Sequence, residues 1–250
     1  CFHSLTIPHH ESPAPDHALR EYSGRFADPT PKFRCRQASA CPDEPKANMA
    51  AMITHMDKGV GRILDVLEER GIADDTLVIF TSDNGPDRYS LACADFFGAR
   101  GGLRGIRMPT IARWPGHTPA NAACDYPWHF ADILPTFAEL AGAKRVPREI
   151  DGDSVAPALL GREDTLPENR FLYWDAAGSR AARQGKWKVV QPAEGAPVEL
   201  YDLENDIAET TDLADKHPEI VARMTDAMDA SYEPPPPQIE PDAPDGRYYR

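Results

Sequence analysis

Residues 49 to 86 constrain the fold of this chain more than any other stretch. Met49, Met52, Ile53, Met56, Val60, Ile63, Leu64 and Leu67 recur at three- and four-residue steps, which gathers them on one stripe of a helix. Gly71 stands where such a helix stops. Leu77-Val78-Ile79-Phe80 follows closely, a β-branched and aromatic run typical of strands buried on both faces. It breaks at once into Thr81-Ser82-Asp83-Asn84-Gly85-Pro86. Residues 2–7 read as a further buried strand ahead of the helix. Strand, long helix and buried strand in that order predict a parallel α/β sheet. Ligands of such sheets gather beyond the carboxyl ends of the strands, and Asp83 and Asn84 sit at such an end.

Residues 8–46 are rich in Pro, His, Asp and Arg and show no sustained period, a long excursion of the kind that is often functional. Residues 106–114 predict another strand, closed by Pro115-Gly116, and residues 130–141 a helix with Ile133, Leu134, Phe137 and Leu140 on one side and Gly142 as its stop. From about residue 170 the pattern changes. Short alternating pieces at 170–174, 181–190 and 198–203 are separated by Gly and Pro turns, which predicts a small antiparallel sheet. Residues 218–232 predict an amphipathic helix using Ile220, Val221, Met224 and Met228, and the run from Pro234 to Pro237 opens an extended tail. The expected organisation is an α/β core over 1–168, a sheet-and-helix subdomain over 169–235 and a Pro-rich polar tail over 236–250.

At 250 residues the chain is long enough to bury a real core. Its net charge of −13 argues against a nucleic-acid partner, because phosphate binding relies on clustered Lys and Arg. No window approaches the roughly 18 uninterrupted apolar residues of a membrane span. The opening Cys1-Phe2-His3 has no Met, basic region or small-residue cleavage site, so the chain is expected to be truncated or processed, with no targeting signal in view. Cys1, Cys35, Cys41, Cys93 and Cys124 form no C-x-x-C pair. Cys35 and Cys41 have the spacing of a small disulfide loop, but five simple thiols fit equally well.

Three groups carry candidate chemistry. Asp83 and Asn84 offer a carboxylate and an amide oxygen to a hard cation such as Ca2+ or Mg2+, with Gly85 permitting a sharp turn; Asp-Asn-Gly is also a common turn sequence. His9, after Pro8, stands at the expected end of the opening strand, where an imidazole can bind an anion or donate a proton, or can simply be solvated. Arg100, Arg104 and Arg107 lie among glycines, an arrangement that suits a sulfate or phosphate or an ordinary basic loop. None of the three decides alone.

Together they resemble one family. The order Thr-Ile-Pro-His (6–9), Ala-Met-Ile-Thr-His-Met-Asp-Lys-Gly-Val-Gly-Arg-Ile-Leu (51–64), Thr-Leu-Val-Ile-Phe-Thr-Ser-Asp-Asn-Gly-Pro (76–86) and Ile-Arg-Met-Pro-Thr-Ile-Ala-Arg-Trp-Pro-Gly (106–116) is similar to the arylsulfatase-type sulfatases. The likeness continues through Asp151-Gly152-Asp153-Ser154, Arg183-Gln184-Gly185-Lys186-Trp187-Lys188 and Glu199-Leu200-Tyr201-Asp202-Leu203-Glu204-Asn205-Asp206. It implies an alkaline-phosphatase-like α/β fold, a mixed or parallel sheet flanked by helices and present here in part, with a small carboxyl-terminal antiparallel sheet plus helix. It also implies sulfate-ester hydrolysis and Ca2+, less so Mg2+, held by Asp83 and Asn84 with two further Asp residues from an early strand. The expected nucleophile is a formylglycine made in a C-x-P-S-R-type motif. His9 matches the family His at the sulfate end of the substrate, and Arg104 and Arg107 are the sulfate-binding candidates. The expected substrate is a small sulfate ester or a sulfated glycan, and related proteins are often periplasmic, secreted or lysosomal.

The match fails in two places. No cysteine here lies in a C-x-P-S-R context, and no early Asp pair is present. Leu103-Arg104-Gly105 also joins Ile106-Arg107-Met108 almost directly, without the family's L-R-G-x-K-R-x-x-x-E-G-G-I-R stretch and its sulfate-binding Lys. The leading expectation is therefore a carboxyl-terminal portion of a sulfatase, inactive alone. A phosphatase or phosphonate hydrolase on the same scaffold, and a degenerate non-catalytic binding protein, stand as alternatives.

Overall fold

The computed structural model describes residues 1–9, 13–27, 43–85, 108–145, 147, 149–176 and 178–234. The chain divides into two compact units, Cys1–Pro167 and Glu168–Arg250.

In the first unit a short helix α1 (Asp16–Leu19) packs on the long helix α2 (Pro45–Glu69). Ala14, Ala18, Ala51 and Met52 form the buried contact, and the buried Asn48 accepts the Ala14 N–H at 2.7 Å. Pro45 opens α2 at no hydrogen-bonding loss, because the first helical N–H has no partner inside the helix. At the other end Gly71 adopts φ 65°. There the Gly71 N–H donates to Glu68 O at 2.9 Å and the Ile72 N–H to Leu67 O at 3.1 Å, a paired closure of the last turn that needs left-handed backbone.

Two expectations for this unit are corrected. Residues 1–7 form no strand, and Phe2 and Leu5 are exposed. Extended chain becomes a strand only when a neighbour takes its N–H and C=O groups, and among the described residues none does. β1 (Val78–Thr81) and β2 (Thr110–Arg113) form a two-stranded antiparallel sheet, a pairing that a mixed sheet admits, in register from Val78 opposite Arg113 to Thr81 opposite Thr110. All four β1 residues are half-buried, not enclosed on both faces. The strand at 106–114 is shorter than expected, with 106 and 107 outside the described residues. Two polar contacts tie this ribbon to the end of α2: Arg113 Nη2 to Glu68 Oε1 at 2.7 Å, and the Trp114 indole N–H to Asp74 O at 2.8 Å.

The helix expected at 130–141 is a 3-10 turn (Phe130–Asp132) running into α3 (Ile133–Leu140), followed by a single-turn helix α4 (Ala156–Leu159). Asp132 and Thr136 are fully buried. The Asp132 carboxylate accepts the His129 N–H at 2.8 Å and the Asp153 N–H at 3.0 Å, while the Thr136 hydroxyl oxygen accepts the Val155 N–H at 2.9 Å. One helix face thus satisfies two donors of the segment before α4. Gly152 makes the approach possible, since a Cβ there would lie 2.0 Å from Ala131 O.

The second unit is a four-stranded antiparallel sheet of β3 (Phe171–Ala176), β4 (Ser179–Gln184), β5 (Trp187–Gln191) and β6 (Glu199–Asp202), paired in chain order. The stretch expected as one strand at 181–190 is two, because Gly185, at φ 57°, and Lys186 turn the chain so that Gln184 faces Trp187. Helix α5 (Pro218–Ala230) presses Met224 and Met228 against Ala182, Val189 and Leu200, all buried. Burial of each such large side chain contributes roughly 1.5–3 kcal/mol. Lys188 and Glu209, both buried, pair at 2.6 Å.

Candidate functional site

β1 ends at Thr81, whose hydroxyl lies 3.2 Å from Pro109 O and 3.1 Å from the Thr110 hydroxyl. This polar rung fixes the point from which Ser82-Asp83-Asn84-Gly85 leaves the sheet. Asp83 Oδ1 accepts the Asn84 N–H at 3.0 Å, and Asn84 Nδ2 donates to Gly85 O at 3.0 Å. Both side chains are exposed. Asp83 Oδ2 and Asn84 Oδ1 accept no hydrogen bond among the described residues. These are hard oxygen donors, one anionic and one neutral, at the carboxyl end of a strand, and their chemistry fits Ca2+ or Mg2+. They are two oxygens of the six to eight that Ca2+ takes. Among the described residues no group of three or more His, Cys, Asp or Glu is placed to hold a metal. The fit is one of donor type and position, not of a closed shell.

His9 is exposed ahead of α1, and no hydrogen bond among the described residues joins it to Asp83 or Asn84. Arg104 and Arg107 lie outside the described residues, as do Cys35, Cys41 and Cys93. Cys1 and Cys124 are exposed thiols. The structure therefore brings Asp83 and Asn84 into one turn.

The excursion that follows His9 is braced at its stem. Glu44 accepts the Gly24 N–H at 2.6 Å and the Ser23 hydroxyl. The Ser23 bond, and then the Gly24 bond, hold its carboxyl below the usual carboxylate value. Glu21 is lowered in the same way, first by the hydrogen bond from Lys58 at 2.9 Å. Sequence reasoning missed the Thr81–Thr110 rung. Its only trace is a Thr at one end of each run, closing Val78-Ile79-Phe80 and opening Ile111-Ala112, a signal too common to single out.

Three kinds of likeness bear on this site. The Sulfatase family model matches residues 7–143. A protein described as a sulfatase from Formosa agariphila is 31% identical over 219 residues, covering 75% of this chain and 38% of its own length. Choline-sulfatase from Rhizobium meliloti is 35% identical over 174 residues, covering 66% of this chain and 32% of its own. Among solved structures, Ps i-CgsB superposes with a TM-score of 0.71 at 26% identity, over 90% of this chain and 48% of that one. The same protein has been solved in complex with k-i-k-neocarrahexaose, with a TM-score of 0.69 at 25% identity. The chain spans less than half the length of these relatives.

Proposed function

The chain belongs to the sulfatase family, and on that premise we propose that its residues serve the hydrolysis of sulfate esters, with Asp83 and Asn84 holding Ca2+ beside the ester. The observation that carries this reading is the family match over residues 7–143, which encloses His9, Asp83, Asn84, Arg104 and Arg107.

Hydrolysis breaks the S–O bond of the ester, places a water-derived oxygen on sulfur and returns a proton to the leaving alkoxide. Asp83 and Asn84 contribute oxygens to a cation that offsets sulfate charge. His9 is the group in this chain suited to contact the sulfate end or protonate the leaving oxygen. Arg104 and Arg107 have the planar donors that bind a tetrahedral oxyanion. The formylglycine expected in the family supplies the oxygen nucleophile. Its C-x-P-S-R segment does not occur in residues 1–250, so these residues alone are proposed to be inactive. A sulfated glycan or a small sulfate ester is the proposed substrate; the neocarrahexaose complex of Ps i-CgsB supports the glycan.

The test is turnover of a chromogenic aryl sulfate and the matching aryl phosphate in Ca2+. It compares this chain alone with the chain co-expressed with a polypeptide carrying the C-x-P-S-R segment of a full-length relative. The expected outcome is silence from the chain alone and sulfate turnover from the pair, reduced roughly 100-fold by Asp83→Ala, the scale of losing one charge-stabilising group. Turnover by the chain alone would overturn the claim of inactivity. Preference for the phosphate would favour phosphoryl chemistry, and loss of both activity and saturable Ca2+ binding a non-catalytic protein.

A further inference from the structure

Of Asn48, Asn84, Asn121, Asn169 and Asn205, the asparagines of this chain, only Asn84 is followed by glycine. The others are held or hindered. Asn48 is buried, and its Oδ1 accepts the Ala14 N–H at 2.7 Å. Asn205 Nδ2 donates to Asp202 at 3.0 Å. Asn121 and Asn169 are exposed but precede Ala122 and Arg170, whose side chains restrict the approach of the next backbone nitrogen. Asn84 combines exposure with a neighbour that has no Cβ. Its Nδ2 donates to Gly85 O at 3.0 Å, which folds the side-chain amide back along Gly85. The bond from the Asn84 N–H to Asp83 Oδ1, at 3.0 Å, pins the turn in that shape. Thr81 ties the start of the turn to Pro109 and Thr110. Among the described residues the Gly85 N–H donates no hydrogen bond that would first have to break.

We propose that Asn84 and Gly85 form a self-modification site at which the Asn84 amide is lost. Gly85 N attacks Asn84 Cγ and gives up its proton. The new C–N bond closes a succinimide ring as the Cγ–Nδ2 bond breaks, and Nδ2 leaves with that proton as ammonia. Water then opens the ring at either carbonyl, giving aspartate or isoaspartate at position 84. Water is the only co-reactant, and nothing is oxidised or reduced. Nucleophile and target belong to one turn, so the step is intramolecular and gains from proximity; asparagine counts among the thermolabile residues. The consequence for the site rests on the reading of Asp83 and Asn84 as cation ligands. Their donor set passes from one anionic and one neutral oxygen to two carboxylates, and calcium sites tune their affinity by ligand charge. In the isoaspartyl form the main chain also gains a methylene, which moves the carboxylate. Fresh and aged copies of the chain thus present a cation with different donors.

The experiment holds the freshly purified chain at mildly alkaline pH and physiological temperature, then digests it with trypsin. The peptide of residues 71–88, in which Asn84 is the sole asparagine, is followed by mass spectrometry and by isoaspartyl-specific methylation. The expected result is a steady amide-to-acid mass gain with isoaspartate, confined to this peptide among those that carry asparagine, and lost in Gly85→Ala. A synthetic peptide of the same residues gives the reference rate without a fold, and the same substitution in it tests the nucleophile free of any folding defect. Two results would sink the proposal. One is an Asn84 that keeps its amide in the folded chain while the synthetic peptide converts, which would mean that the fold protects it. The other is conversion undiminished by Gly85→Ala, which would rule out Gly85 N as the attacking atom. Calorimetry with Ca2+ on fresh and converted chains separates the chemistry from its consequence. Conversion with no saturable Ca2+ binding by either chain would uphold the modification while counting against the metal role in the proposed function.

Discussion

At Gly152 the backbone passes so close to the lead-in of α3 that a methyl group would meet the Ala131 carbonyl, which is backbone and has no rotamer to escape into. Gly152→Ala is therefore expected to cost about 3 kcal/mol, the upper end of ordinary overpacking, read as a lower urea midpoint. Thr136→Val keeps the shape but strands the Val155 N–H beside a fully buried position, for an expected loss of roughly 1–3 kcal/mol. The Lys58–Glu21 pair shows why distance alone is a poor guide. Its 2.9 Å separation joins two exposed side chains, a setting in which solvent screening and lost side-chain freedom leave little net stabilisation. The buried rung at Thr136 should outweigh it.

Among the elements of the second unit, the pair Lys188–Glu209 and the carboxylate of Asp202 make separable predictions. Removing one member of a buried pair leaves a charge without its partner, so Lys188→Met should destabilise by roughly 3–5 kcal/mol, and Lys188→Met with Glu209→Met should recover much of that. Asp202 accepts from Lys186 at 2.9 Å, Asn205 at 3.0 Å and the Glu204 N–H at 3.1 Å. The Lys186 bond is the main reason its pKa is lowered; burial opposes it and the other two bonds assist. A depressed folded-state pKa contributes stability in full above the unfolded value, near about 3.9, and loses it as pH falls through the folded one. Asp202→Asn should thus lower the melting temperature at pH 7, and the gap to the parent should close as the solution is acidified below about pH 4. Most of this unit was legible from alternation and turn residues. The missed break at Gly185 arose because a two-residue turn barely interrupts an alternating pattern. In the first unit the stripe and stop of α2 were legible because both are local. The burial of β1 and the strand at 2–7 were not, because each depends on a neighbour that local sequence does not specify. The same limit applied to the site: the end of an apolar run located Asp83 and Asn84, but nothing local could say what else would face them.

Over the whole molecule the two units differ in how far each closes on itself. The first exposes apolar side chains on α2, β2 and α3; the second buries Val189, Leu200, Met224 and Met228 between a sheet and one helix. Met224 and Met228, in α5, are the final residues added to that second core among the described residues. During synthesis the sheet of β3 to β6 leaves the ribosome before anything exists to cover its apolar face. It must wait, unclosed, until α5 has been released. The α1–α2 contact, made by residues 14 to 52, can form while translation is still under way. A premature stop before Met224 would therefore leave the first pairing intact and turn the second unit into a substrate for chaperones and proteases.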